Sequence, residues 1–362
     1  MLVHICCSVD SHFFISELKK LYPKERLVGF FYDPNIHPYA EYELRYLDVK
    51  RSCDKLGLSL HKGEYDFTLW MQAVRGLEDE PERGARCENC FEMRLEEAAK
   101  FALKIGEKSL TTTLLTSPKK DFSQLENALR AQCSPFGVEF IAPDFRKNGG
   151  TQRQFELAKK EMLYHQNYCG CLYALAKQRQ GRGFVDELMS PLSHQILPNS
   201  IEERTKLFKE LGKLEKRGLK FKLEREKFLN YRLLSAKITA DKKPIKAHIM
   251  FYSHFKLQKS AFTVNLKDGQ GGVLKILKDE LVFWDFEYFN GLVRRKFKDF
   301  NELLKKPLSV EKEIKLRTKH FGAYNLSPII ICERLPQGKI EIFAKSEIYF
   351  DTRERLVKEA NA

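Results

Sequence analysis

The chain opens with MLVHICC, a short apolar run that ends on two cysteines. The polar pair Asp10 and Ser11 behind it is placed to cap a helix. Phe14, Leu18 and Leu21 then recur at helical spacing, so that helix is predicted to run to about Leu21. LVGFFY at 27–32 is the second strand pattern, and a strand, a helix and a strand in this order make the parallel βαβ unit. The alternation continues with helices near 40–56, 88–104, 121–132 and 151–164, a short segment near 58–61, and strands at LTTTLLT (110–116) and VEFIAP (138–143). An open, mostly parallel α/β sheet is the fold class these patterns predict. Binding sites in such sheets lie beyond the carboxyl ends of the strands, where Cys6 and Cys7 fall.

Beyond residue 180 the pattern changes. QGRGFVDELMSPLSHQILPNS at 180–200 holds two glycines and two prolines and reads as a connection. The expected division is an α/β domain over 1–185, a linker over 186–200, and a basic α+β domain over 201–362. A basic helix near 200–216 opens the last part. KAHIMFYSHFKL, AFTVNL, VLKILKDELVFWDFEYF, PIIICERL and KIEIFAKSEIYF then predict a substantial antiparallel sheet.

Length and charge agree with this division. At 362 residues the chain can form two domains that each bury a core. Residues 1–183 carry 27 Lys and Arg against 25 Asp and Glu, whereas residues 184–362 carry 36 against 24. A balance of +12 in the second half points to a polyanionic partner or to a lysine-rich solvated surface. No run reaches the roughly 18 apolar residues that span a bilayer, and MLVHICC lacks the basic start of a signal peptide. The expectation is a cytoplasmic protein with no membrane partner.

The nine cysteines then need an account, because the reducing cytosol does not favour a disulfide framework. Cys6 and Cys7 are adjacent, Cys87 and Cys90 form a CxxC, and Cys169 and Cys171 flank one glycine. Cys53, Cys133 and Cys332 stand alone and read as ordinary thiols. Soft thiolates select zinc, copper(I) or iron-sulfur clusters. Structural zinc takes two knuckles close in sequence, and here the pairs lie about 80 residues apart, so zinc accounts for Cys87 and Cys90 only. Simple burial is the competing reading of each pair. The CxxC sits on the expected first turn of a helix, where the helix dipole favours a thiolate, and the glycine of CGC permits close backbone approach.

The loop CCSVDSH has the strand, turn and helix layout of the SGGxDS loop of PP-loop ATP pyrophosphatases, with both glycines replaced. Without them the backbone cannot wrap a pyrophosphate closely, and two thiols stand where phosphate would sit.

Five ordered segments carry a family resemblance: CCSVD at 6–10, FYDPNIHPYAEYELR at 31–45, RCENCFEMRL at 86–95, TTTLLTSP at 111–118 and YHQNYCGCLY at 164–173. Over roughly residues 1–180 the chain resembles the QueH-type epoxyqueuosine reductases. The resemblance implies a Rossmann-like sheet related to PP-loop and HUP proteins. It also implies the last step of queuosine formation, removal of the epoxide oxygen of epoxyqueuosine in tRNA. Cys6, Cys7, Cys87, Cys90, Cys169, Cys171 and Asp10 are then expected to bind a 4Fe-4S cluster and an additional iron or other divalent metal ion. Seven ligands exceed what one cubane needs.

Removing an epoxide oxygen takes two electrons and two protons, so a redox cofactor and an electron donor are expected; the sequence does not identify the donor. Cys6, Asp10, Tyr32 and His37 are the candidate catalytic residues. Asp33, Asn35, Arg45, Arg86, Arg94 and Ser117 are the candidate substrate contacts, although DPN is also good turn chemistry and the arginines also suit pairing with helix carboxylates. A wobble nucleoside is a splayed, single-stranded target for stacking and phosphate contacts. KLEKRGLKFK at 213–222 and RRKFK at 294–298 can bind a tRNA body. Two other readings stay open, a PP-loop tRNA thiolation enzyme and a zinc-stabilised RNA-binding protein without catalysis.

Overall fold

The computed structural model describes residues 1–118, 120–166, 168–178, 195–265, 267–277 and 280–358. The chain forms two compact units, Met1–Leu188 with Arg204–Leu223 and Leu356–Ala362, and Met189–Glu203 with Glu224–Arg355. Most of the expected linker, residues 186–194, lies outside the described residues.

Unit one is built on five parallel strands in the order β3-β2-β1-β4-β5: β1 (Leu2–Ile5), β2 (Val28–Phe31), β3 (Ser59–Lys62), β4 (Ser109–Thr112) and β5 (Glu139–Phe140). The Rossmann-like α/β sheet expected from the sequence is therefore present. β1 lies at its centre, pairing Leu2 with Val28 on one side and Leu110 on the other, and all four of its residues are buried. Fully buried central strands are why LVHI and VGFF read as continuous apolar runs rather than alternating ones. The helices are α1 (Ser8–Leu21), α2 (Tyr39–Leu56), α3 (Phe67–Ala73), α4 (Ala85–Lys104), α5 (Phe122–Cys133), α6 (Gly150–Lys160), α7 (Leu172–Gln178) and α8 (Ile201–Lys216). Phe14, Ile15 and Leu18 of α1 and Leu95, Ala98 and Ala102 of α4 are wholly buried in the core around the sheet. Each buried Leu or Phe contributes about 1.5–3 kcal/mol.

Three local expectations shift. Helix α1 starts at Ser8 with Cys7 as its N-cap residue, because the backbone turns directly after Ile5; Asp10 falls inside the first turn, where its charge complements the helix dipole. The strand expected over 110–116 stops at Thr112, whose hydroxyl accepts the Leu114 amide and turns Thr113–Thr116 into a 3-10 helix. Helix α4 begins at Ala85, so the CxxC straddles its first two turns.

Unit one also reaches past residue 185. Helix α8 belongs to it from Arg204 onward, since Phe208 packs edge-on against Tyr164 and Glu215 pairs with Arg51 and Lys55 of α2.

The rest of the chain supplies β6 (Phe221–Ala240), β7 (Lys243–Pro244), β8 (Ala247–Ile249), β9 (Lys259–Val264), β10 (Val273–Ile276), β11 (Leu281–Asp285), β12 (Ile329–Cys332) and β13 (Gly338–Lys358), with helices α9 (Phe286–Leu292), α10 (Phe300–Lys305) and α11 (Val310–Phe321). They form two four-stranded sheets, ordered β10-β11-β12-β8 and β7-β6-β13-β9. The first contains one parallel pair, β11 with β12, among antiparallel neighbours. Among the described residues no helix is long and apolar enough to cross a membrane.

Candidate functional site

All six paired cysteines line one cavity of unit one, together with Asp10, Asp33, Asn35, Arg45, Arg86, Arg94 and Ser117. The segments that carry them are far apart in sequence, yet most of them leave the sheet at the carboxyl ends of β1, β2 and β4, the edge where such folds bind ligands.

The first group is Cys6, Cys7 and Asp10, whose ligand atoms all lie within 4.8 Å of one another. Cys6 Sγ is 3.7 Å from both Cys7 Sγ and Asp10 Oδ2. Only Cys6 and Cys7 separate β1 from α1, so the two thiols stand together, and the first helical turn brings the Asp10 carboxylate beside them. Gln154 of α6 donates to Asp10 Oδ1 at 2.6 Å and fixes its plane. Burial pushes the Asp10 carboxyl up to about 6, against the pull of its Cys7, Cys6 and Gln154 hydrogen bonds. The neighbouring Cys6 thiol and burial push the Cys7 thiol up as well. Three soft or anionic ligands held this close suit a single divalent ion.

The second group is Cys87 and Cys90 of α4 with Cys169 and Cys171, which precede α7. Cys87 Sγ accepts the Arg83 amide at 3.3 Å, and Cys169 Sγ accepts the Cys171 amide at 3.5 Å. Hydrogen bonding from Cys171 holds the Cys169 thiol well below its ordinary value, with Lys120 and Arg45 acting in the same direction. Burial pushes the Cys90 thiol up, opposed by Arg94 and Trp70. The glycine between Cys169 and Cys171 is required: Gly170 has φ of +102°, and a Cβ there would stand 2.8 Å from Ile36 Cγ1. That close approach lets the Gly170 carbonyl accept the His37 amide at 2.9 Å, which ties the loop after β2 to the CGC segment.

The three arginines are structural first. Arg45 pairs with Glu41 one turn earlier at 2.9 Å and donates to the carbonyls of Cys169 (3.2 Å) and Tyr168 (3.0 Å), so it holds the CGC backbone. Glu41 in turn accepts from the Tyr164 hydroxyl, which also receives Arg204 of α8 at 3.0 Å. Arg86 donates to the carbonyls of Leu77, Glu78 and Glu80. Arg94 pairs with Asp33. Pairing with helix carboxylates, one of the two sequence readings, is therefore realised for Arg45.

Several buried atoms in this cavity have no hydrogen-bond partner: Asp33 Oδ2, Asn35 Oδ1, and Arg86 Nε together with one of its terminal nitrogens. Burial raises the Asp33 carboxyl to about 6, against Arg94 and Arg45. Unpaired buried polar atoms are rare and mark a place prepared for something else. Six thiols and a carboxylate, ringed by such atoms, fit an iron-sulfur cluster and a divalent ion by donor chemistry.

Tyr32 and His37 are not brought to the cavity wall. The Tyr32 hydroxyl donates to Asp66 at 3.0 Å, and burial pushes its ionisation far up. The His37 ring stacks on Phe67, and its carbonyl accepts the Tyr168 hydroxyl at 2.6 Å. Cys53, Cys133 and Cys332 are buried in the cores, as ordinary thiols would be. The sequence reading missed Trp70, Lys120, Gln154 and Gln166.

A family model described as "Epoxyqueuosine reductase QueH" matches residues 1–177. The epoxyqueuosine reductase QueH of Helicobacter pylori is 37% identical over 359 residues, covering 96% of this chain and 97% of that one. That of Thermotoga maritima is 36% identical over 183 residues, covering 50% of this chain and 92% of its own. The second half is thus shared with one relative and absent from the match to the other. A relative matched along nearly its whole length and a family model spanning the cysteine-bearing unit lead to one assignment: the chain belongs to the epoxyqueuosine reductase QueH family.

Proposed function

We propose that this chain reduces epoxyqueuosine in tRNA to queuosine. In this reading Cys87, Cys90, Cys169 and Cys171 hold a 4Fe-4S cluster, and Cys6, Cys7 and Asp10 hold an additional iron or other divalent ion. The observation that carries the reading is the convergence of all six thiols and Asp10 on one cavity, divided into a close three-ligand group and the four remaining thiols.

The reaction takes an epoxide, two electrons and two protons to an alkene and water. When bound, the cluster supplies the electrons and the second metal supplies Lewis acidity at the departing oxygen. The protein's own part is placement. Asp33 Oδ2 and Asn35 Oδ1 accept hydrogen bonds from hydroxyls of the substrate ring, and Arg86 offers its unpaired N–H groups. Ser117 lines the same wall. Arg45 and Arg94 act through others: Arg45 fixes the CGC backbone, and Arg94 orients Asp33. Tyr32 and His37 contribute by holding Asp66 and the CGC loop. Apolar walls at Trp70, Phe91 and Leu114 limit water around the site.

The basic second half, with RRKFK at 294–298, is read as the part that binds the tRNA body. An electron donor in the cytoplasm completes the cycle.

Anaerobic purification with iron, sulfide and zinc analysis tests the metal, and conversion of epoxyqueuosine tRNA tests the activity. About four or more irons with matching sulfide, and queuosine as product, are expected. Zinc alone after iron-sulfur reconstitution would leave an RNA-binding protein as the better account.

A further inference from the structure

Lys120 follows the Ser117–Pro118 corner, after the 3-10 turn Thr113–Thr116 that succeeds β4. Its backbone is held by Arg146, which donates to the Lys120 carbonyl at 3.0 Å. The side chain turns into the cysteine cavity, with its ammonium 5.6 Å from the centre of the Phe91 ring. Among the described residues no carboxylate forms an ion pair with it. Arg45 and Arg94, on the same wall, are neutralised by Glu41 and Asp33.

A lysine charge placed in a cavity wall without a counter-ion is unfavourable unless something there supplies the negative charge. Cys87, Cys90 and Cys169 line the same cavity as the ammonium, and the electrostatic pull of these sulfurs, with a smaller one from Glu82, outweighs the burial that works against its charge. Asp10, which lines the same cavity, also lies within its electrostatic reach. Lys120 therefore faces both ligand groups.

We infer that Lys120 is a positioning residue for electron transfer, a fixed positive charge opposite the thiolates that makes the bound cluster easier to reduce. The inference rests on the proposed iron-sulfur reading of the same cavity. A cubane on four thiolates is an anion and gains one more negative charge on reduction, so a nearby cation stabilises the reduced form more than the oxidised one. Net charge around the sulfurs is one of the recognised determinants of cluster potential. The Phe91 ring facing the ammonium adds a cation–π attraction that holds the charge at this wall.

The experiment is a redox titration of anaerobically loaded protein, followed by visible absorption and by the paramagnetic signal of the reduced cluster. Iron and sulfide content is measured on each sample. In Lys120→Met the reduction equilibrium should shift about tenfold toward the oxidised form, a midpoint 59 mV lower for a one-electron couple. Lys120→Arg should keep the wild-type midpoint, and so should Lys100→Met, which removes an exposed lysine of α4. A loaded Lys120→Met with an unchanged midpoint overturns the inference. Loading lost in Lys120→Met and restored in Lys120→Arg supports it, because the anionic cluster then depends on the charge. Loading lost in both means a packing role and overturns it. A wild-type protein that takes up no iron and sulfide overturns the iron-sulfur reading, and Lys120 with it, whereas a loaded wild type with an unmoved Lys120→Met overturns Lys120 alone.

Discussion

Glu313 in the second unit and Asp33 in the first are both 1% exposed, and they are held in opposite ways. Glu313 Oε1 accepts from Gln195 at 2.7 Å and lies 2.8 Å from His248 Nε2, while Oε2 accepts the Phe251 amide at 2.8 Å. Arg317 beside it donates to the carbonyls of Phe251, Asn325 and Ser327 and to the Ser253 hydroxyl. This network is closed. Asp33 has one oxygen on Arg94 and the other on nothing, and Asn35 and Arg86 nearby also keep unpaired atoms. An unpaired buried polar group costs about 1–3 kcal/mol, so several in one cavity carry a cost that a bound ligand would relieve. The Glu313 network of the second unit is satisfied within the fold, whereas the polar groups of the first unit's cavity keep unpaired atoms.

This contrast can be broken most decisively at a ligand. Cys171→Ser should lose at least about half of the bound iron and lower reductase activity more than about 100-fold, with the apoprotein melting as before. A melting point that falls in the metal-free protein would show that the thiols are core packing. Next in size is Glu313→Ala, which strands His248, Gln195 and the Phe251 amide. It should destabilise the fold by about 3–5 kcal/mol in denaturant titration, and a loss below about 1 kcal/mol would contradict the closed network.

A pH series sharpens the same comparison inside unit one. His4 lies 2.9 Å from Thr112 Oγ1 and 3.0 Å from the Tyr32 carbonyl, and burial, with Arg94, holds its imidazole down at about 3. Between pH 6.5 and 3 the unfolded chain binds this proton and the folded chain does not, so stability is full above about 6.5 and falls with acid. Removal of the metals followed by unfolding at pH 6.5 and 4.5 should show a loss of about 2 kcal/mol from His4, reduced in His4→Asn. An identical acid slope in the variant would remove His4 from the account. The smallest effect is that of Asn35→Ala: stability should move by less than about 1 kcal/mol because its oxygen has no partner to strand, while kcat/KM falls about tenfold. A large stability loss with unchanged kinetics would place Asn35 with Glu313.

Much of the site was legible from spacing. Adjacent thiols, CxxC and CGC are local patterns, and Gly170 shows why the last one needs its glycine. The arginines were less legible, since a guanidinium one turn from a carboxylate suits a helix pair and a ligand clamp equally until its surroundings are known. Lys120 and Gln154 were not legible at all, because nothing in KKDF or TQRQ distinguishes a cavity-facing side chain from a solvated one. Helix α3 and most of the twenty-residue β6 were missed for a related reason: FTLWMQA is too short for a clear period, and the lysine-rich face of β6 masks its alternation.

The amino-acid sequence by itself determined the parallel sheet, the position of Cys6 and Cys7 at its carboxyl edge, and the soft-ligand chemistry the paired thiols offer, because each follows from local periodicity and residue type. Only the tertiary structure decided how the six paired cysteines and Asp10 divide into a close trio and four further thiols, which arginines are neutralised, and that helix α8 packs on the cysteine-bearing unit. Those are relations among segments far apart in the chain, as between Arg51 and Glu215, 164 residues on. Such distances are set by how the helices pack on the sheet, which no short stretch of sequence encodes.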